Sequence, residues 1–352
     1  MTAFRYDINA LRALAVLAVV FYHFELPYFS GGFIGVDIFF VISGFLMTKI
    51  IANGLHQGQF SILQFYLSRC RRIIPPLLVL TLVLIILGWF FLAPYDYKTL
   101  GKHISVSLSF LSNAIYFMES GYFDSASKTK WLLHTWSLSV EWQFYIIYPI
   151  ILLVYTKFFI ERSLSKLIYA MFAISLMLSI LLSETHPSSS FFLLHTRAWE
   201  MLFGGIIFYN QSLLVRKYSK HCFYISLSVL VSALFFINTN YIWPGTIALI
   251  PVLFTGLILL SNQNNKAINN RFIQYVGSSS YSIYLWHWPV VVALTYLNLI
   301  GNGLAIIAGL LITFILSSLS YFWIEKNSQY IWKMQKTTKT LYSLLKPIFS
   351  SL

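Results

Sequence analysis

Long apolar runs separated by short polar connectors dominate this chain. Ten runs approach the ~20 residues that a bilayer-spanning helix needs. They lie near 8–26, 33–52, 73–93, 138–156, 167–183, 192–210, 222–238, 243–261, 276–298 and 303–324. The longest stretch that does not read this way is 93–135. Within it, 104–118 (ISVSLSFLSNAIYFM) is apolar but short and rich in Ser and Asn. It predicts one interfacial or re-entrant helix. The expected fold is therefore all-α: a polytopic membrane protein of about ten transmembrane helices.

Composition agrees with the pattern. Hydrophobic residues make up 58% of the chain and charged residues 10%, whereas a soluble domain carries about 25% charged residues. No cleavable signal peptide is expected, because the first run has an interior arginine and no small-residue cleavage pattern follows it. Charge then orients the spans. With the N-terminus in the cytoplasm, the inner loops collect Arg5, Lys49, Arg69, Arg71, Arg72, Lys157, Arg162, Lys166, Arg216, Lys217, Lys220, Lys266 and Arg271. The outer side holds only Lys98, Lys102, Lys128 and Lys130. This positive-inside asymmetry predicts that both termini are cytoplasmic. The net charge of +13 then reports topology and implies no nucleic acid. Residues 1–326 read as one membrane domain and 327–352 as a short basic cytoplasmic tail. Cys70 and Cys222 fall on the inner side, where no disulfide is expected. No CxxC, HExxH or ligand cluster points to a metal.

The costly residues inside the apolar runs carry the chemistry. Arg12 and His23 are eleven residues apart in RALAVLAVVFYH. Eleven helical steps return to within about 20° of the start with a rise of about 16–17 Å. The two groups therefore share one helix face about half a bilayer apart, a cation toward one surface and a proton-transfer group toward the other. The turn that follows, ELPYFSGG, is short, and its Pro27 and paired glycines suit a tight connection. It should hold His23 and Asp37 at similar depth, where the carboxylate would fix the imidazole tautomer. Asp37 also suits the N-terminus of the second span, and the two roles can coexist.

Arg69 and Arg72 in SRCRRIIPPL are three apart and project to one side of a helical turn. They could join Arg12 in binding a polyanionic cytosolic ligand, although topology alone also demands such a cluster. In LLHTWSLSVEWQFYIIYP, Glu141 lies a few residues inside the outer boundary and two turns beyond His134. It could pair with a cation, exchange a proton or make a structural hydrogen bond. In SSSYSIYLWHWP, His287 sits between two tryptophans, and a buried, hydrogen-bonded role is the plainer reading. Tyr281, Tyr284 and Trp288 form a stripe on the same helix. Arg197 and Glu200 are three apart and predict an intrahelical pair.

Taken together, RYDINALRALAVLAVVFYHF, GGFIGVDIFFVISGFLMT, FYLSRCRRIIPP, LLHTWSLSVEWQFYIIYP, WPGT at 243–246, SSSYSIYLWHWP and SYFWIEK resemble the acyltransferase-3 family of bacterial integral-membrane O-acyltransferases. The motifs run in the family's order over residues 4–326. The resemblance implies a ten-helix core in the bacterial cytoplasmic (inner) membrane. Such a core takes an acyl group, usually acetyl, from cytosolic acyl-CoA to a hydroxyl of a surface carbohydrate or its polyprenyl-linked precursor. Lipopolysaccharide O-antigen and peptidoglycan are among the family's acceptors, and an O-antigen-like one is expected here. The family's arginine-x10-histidine motif falls on Arg12 and His23, its RxxR motif on Arg69 and Arg72, and its acidic position on Glu141. Many members carry a second glutamate directly afterwards, where this chain has Trp142. Many also end in an extracytoplasmic SGNH-type hydrolase domain, which is not expected here. The core would then acylate its acceptor directly or through a separate periplasmic partner.

The functional expectation follows. Arg12, Arg69 and Arg72 hold the phosphates of acetyl-CoA as donor substrate, with no metal. His23, supported by Asp37 or Glu141, deprotonates the acceptor hydroxyl or takes the acyl group covalently. His134, His287 and Tyr281 are further candidates. A transporter or flippase for a lipid-linked sugar, and a glycan polymerase, are the alternatives. No internal repeat of the kind common in transporters is visible.

Overall fold

The computed structural model describes residues 4–120, 127–159, 163–212, 218–266 and 268–328. Arg162, Arg216, Lys217 and the basic tail beyond residue 328 lie outside them. The described residues are helical and contain no strand. The longer helices are α1 (Tyr6–His23), α2 (Gly35–His56), α3 (Ile62–Phe91), α4 (Pro94–Leu108), α5 (Ser112–Glu119), α6 (Thr135–Phe158) and α7 (Leu164–Thr185). They continue with α8 (Pro187–Phe192), α9 (Leu194–Tyr209), α10 (Ser219–Phe236), α11 (Leu249–Ser261), α12 (Arg271–Ser278), α13 (Ser280–Tyr296) and α14 (Gly303–Ser320). A π-turn at Tyr321–Glu325 extends α14.

Seven segments among the described residues are long and apolar enough to cross a bilayer, against the ten expected. The other three expected spans fall short for visible reasons. α1 has 18 residues and carries Asp7, Asn9 and Arg12. α11 has only 13 residues, because the WPGT stretch before it is a loop. The span expected at 276–298 breaks at Ser279 into α12 and the 17-residue α13. The expected single helix over 104–118 is two helices, α4 and α5. Phe110 separates them with a left-handed φ of 55°, which interrupts any continuous helix.

The RCRR cluster lies within α3 rather than in a loop. Ser61 caps that helix by accepting from the Gln64 amide, so the helix starts about two turns before the arginines. Pro75 lies inside it and leaves the Arg71 carbonyl, four residues back, without its helical donor. Ser328 Oγ donates to that carbonyl at 3.2 Å. This bond ties the end of the described chain to α3.

The turn between α1 and α2 also differs from expectation. Its left-handed residues are Glu25 and Tyr28. The paired glycines serve helix contact instead: a Cβ on Gly32 would lie 2.2 Å from the Ala18 carbonyl oxygen of α1.

α2 and α9 run side by side in the same direction, with Asp37 facing Arg197 and Gly44 facing Met201. Their backbones nearly touch, since a Cβ on Gly44 would lie 1.7 Å from the Met201 carbonyl oxygen. Small residues at such crossings let helices approach closely where no hydrophobic effect drives association. This contact sets the depth of Asp37 and Arg197. α1, α2, α6 and α13 line both chambers described next; α3 adds to the first, and α8 and α9 to the second.

Candidate functional site

Two chambers occupy the interior. The first, about 110 Å³, is lined by Arg12 from α1, Ser43 from α2, Arg69 and Arg72 from α3, and Glu141 and Tyr145 from α6. The second, about 600 Å³, is lined by His23, His134, Trp136, Arg197 and Trp288 among others. Val36 and Tyr284 line both, so the chambers meet at these side chains.

The arginine pocket unites five helices, α1, α2, α3, α6 and α13. Arg12 rises toward α13, where its Nη2 donates to Ser280 Oγ at 2.9 Å. Arg69 and Arg72 face it from α3 because their spacing of three keeps them on one side of that helix. Glu141 supplies the opposite charge, accepting from Ser43 Oγ and from Tyr145 on the next turn of its own helix. Tyr281 also lines this pocket, and its hydroxyl donates to the Ile73 carbonyl at 2.7 Å. The placement of Glu141 corrects an expectation: it does not sit beside His23. α6 begins only at Thr135. Six residues at 1.5 Å each then carry Glu141 about 9 Å inward, away from His134 at the helix start.

His23 ends α1 at the second chamber. Its Nδ1 lies 2.9 Å from Nε2 of His287, and the two rings stack with centroids 5.1 Å apart. His287 Nδ1 lies 2.7 Å from the Tyr284 carbonyl oxygen. A carbonyl only accepts, so the His287 proton is on Nδ1 and its Nε2 is a lone pair. His23 must therefore donate from Nδ1. This leaves a lone pair on His23 Nε2, the form a general base needs. Trp288 packs its edge on the His23 ring at 4.7 Å and donates from Nε1 to the Lys130 carbonyl at 2.8 Å.

Asp37 does not orient His23. It lies on the opposite side of α2 and accepts from Arg197 Nη2 at 2.9 Å. Arg197 Nε lies 3.2 Å from Glu200 Oε1, which is the predicted intrahelical pair. All three side chains are buried, and the guanidinium also faces Phe40, Trp136 and Phe191 at 5.4, 5.7 and 5.8 Å. The close approach of α2 and α9 aims Asp37 at Arg197, so the His23 tautomer falls to His287.

Several participants had a signal in the sequence without a partner. Asp37 and Arg197 are opposite charges in separate apolar helices, and such charges pair inside membranes. Tyr284 stood in the aromatic stripe, but only the tertiary fold makes it the wall between chambers. Glu325, in the SYFWIEK motif, is buried and accepts from Ser282 Oγ at 2.9 Å. Two residues before Ser282 on the same helix, Ser280 is the Arg12 partner. Among the described residues, no group of three or more His, Cys, Asp or Glu side chains fits a metal ion.

The acyltransferase-domain profile matches residues 5–322, and the chain belongs to that acyltransferase-3 family. It is 33% identical over 343 residues to the peptidoglycan O-acetyltransferase OatA of Listeria monocytogenes, covering 91% of this chain and 55% of that protein. It is 31% identical to the putative peptidoglycan O-acetyltransferase YrhL of Bacillus subtilis over 91% of this chain and 54% of that one. The O-acetyltransferase OatA of Staphylococcus aureus is 28% identical over 90% and 56% respectively. The chain thus spans about half the length of these relatives. No solved structure matches the chain.

Proposed function

We propose that this chain is a membrane O-acetyltransferase that carries an acetyl group from cytosolic acetyl-CoA to a hydroxyl of a cell-wall glycan. The observation that carries the reading is the pair of chambers meeting at Tyr284 and Val36. Three arginines gather at one end and a histidine with a free basic nitrogen stands at the other. Guanidinium groups match phosphate oxygens in charge and geometry, so Arg12, Arg69 and Arg72 bind the donor's phosphates at the cytoplasmic end. The arm then extends about 16 Å along α1 toward His23. There His23 Nε2 takes the proton from the acceptor hydroxyl as its oxygen attacks the thioester carbonyl. The C–S bond breaks, and the coenzyme A thiolate leaves and recovers the proton. His287 holds the tautomer throughout.

The relatives named for a substrate are named for peptidoglycan. This favours a peptidoglycan-type acceptor over the O-antigen-like one expected from the sequence. The protein acts in the cytoplasmic membrane, directly or with a separate extracytoplasmic partner. The test incubates membranes containing the chain with radiolabelled acetyl-CoA and isolated cell-wall glycan. Label should appear on the glycan, and His23→Ala should remove it while the protein still inserts. Label transfer that survives His23→Ala overturns the catalytic assignment. Label reaching glycan only after a second extracytoplasmic protein is added assigns the last step to that partner.

A further inference from the structure

We infer that the histidine cavity contains an acceptor subsite for an uncharged pyranose ring, held between His134 and the Arg197 cluster. The inference rests on the acetyl-transfer reading and goes on to name how the acceptor is recognised. Two observations carry it independently. His134 is 3% exposed and lines the cavity; the Leu285 backbone lies within reach of its ring, which leaves at least one ring nitrogen without a partner. Arg197 is 1% exposed, lines the same cavity, and its Nη1 has no partner. Buried polar groups are nearly always hydrogen-bonded, and leaving one unmatched is costly. Two such groups on one wall are what a ligand rich in hydroxyls would satisfy. His134 stands next to the reacting end, with its ring centroid 5.8 Å from that of His287.

The cavity walls choose the ligand class. Trp136, Phe191 and Phe192 line it near Arg197 and contact one another, with Trp136 and Phe191 centroids 4.6 Å apart. They offer flat apolar faces to the C–H face of a sugar ring, while the polar groups meet its hydroxyls. A volume of about 600 Å³ lies within the ~300–1,000 Å³ range of small-molecule pockets. Charge excludes acidic sugars. Arg197 is matched by two carboxyl groups, Asp37 and Glu200, so the cluster has no net positive charge even if one of them holds a proton. The remaining charges at the cavity wall, Lys128 and Glu25, pair with each other. An anionic ring gains nothing there and loses its hydration.

The test is a binding titration on the detergent-purified full chain, read by intrinsic tryptophan fluorescence. The probes are a tetramer of N-acetylglucosamine and a tetramer of galacturonic acid. The uncharged tetramer should bind saturably and the acidic one should not. His134→Ala should weaken binding tenfold or more, and within the fold it removes at most the contact of the ring with the Leu285 backbone. Phe192→Ala, a second variant whose ring lines the cavity without facing the Arg197 guanidinium, should weaken it similarly. In transfer assays His134→Ala should raise the acceptor KM and leave the acetyl-CoA KM unchanged. No saturable binding to wild type, equal binding of the acidic tetramer, or unchanged affinity in both variants overturns the subsite. Saturable binding without any acetyl transfer would instead keep the subsite and overturn the acetyltransferase reading.

Discussion

Gly44→Ala tests whether the α2–α9 contact builds the site. The new Cβ would lie 1.7 Å from the Met201 carbonyl oxygen. A carbon–oxygen contact needs about 3.3 Å, so the helices must separate by about 1.6 Å. Neither partner can yield locally, because the obstacle is backbone and not the tip of a flexible side chain. If the helices move as stiff rods, the Arg197–Asp37 bond of 2.9 Å opens to roughly 4.5 Å by the same separation. That breaks a buried ion pair, at about 3–5 kcal/mol, in addition to about 1–3 kcal/mol for overpacking. The expected result in detergent is a fall in melting temperature on the order of 5 °C or more, with glycan O-acetylation reduced even below the transition. Gly101→Ala is the control. It lies inside α4 with nothing within 4 Å of the added carbon, and alanine favours a helix interior by about 0.8–1.0 kcal/mol over glycine. It should be neutral or stabilising. A Gly44→Ala protein that melts and acetylates like wild type would refute the claim that this crossing holds the ion cluster in place.

Three further outcomes follow from the same geometry. His287→Phe removes the acceptor for His23 Nδ1–H and should lower acetyl transfer about a hundredfold with acetyl-CoA binding unchanged; transfer above half of wild type would show that His287 does not set the tautomer. Arg72→Gln removes charge-assisted bonds worth about 1.5–3 kcal/mol, so the acetyl-CoA KM should rise by roughly tenfold or more, and an unchanged KM removes Arg72 from the donor site. Glu119 bridges Lys102 at 2.6 Å, His103 at 3.1 Å and Lys130 at 3.4 Å. Burial pushes its carboxyl up, but the Lys102 hydrogen bond and the His103 and Lys130 charges bring it below the usual glutamate value. The bridge thus stabilises the α4–α5 pair above the ordinary glutamate range and is lost as pH falls through the lowered value. Glu119→Gln should flatten the acid limb of a pH–melting profile, and an unaltered limb would show that the bridge adds no stability.

Much of this protein was legible in one dimension. Apolar runs near bilayer length force helices, because backbone groups in hydrocarbon must bond within their own segment. The helix period alone put Arg12 and His23 on one face, and a spacing of three did the same for Arg69 and Arg72. Charges inside those runs marked Glu141, Asp37 and Arg197 as residues in need of partners. Apart from Glu200, three residues from Arg197, the partners themselves were not legible. Which groups meet depends on how the helices cross, and that is decided by close backbone contacts such as Gly44 on Met201 and by breaks such as Ser279. These contacts turned Asp37 toward Arg197 and left His287 to orient His23. The start of α6 at Thr135 moved Glu141 into the arginine pocket and left His134 in the cavity beyond. Sequence determined which groups must be satisfied inside the membrane domain, because burial is costly wherever it occurs. Tertiary structure decided which group satisfies which, because helix crossings are fixed by steric contact between residues far apart in the chain.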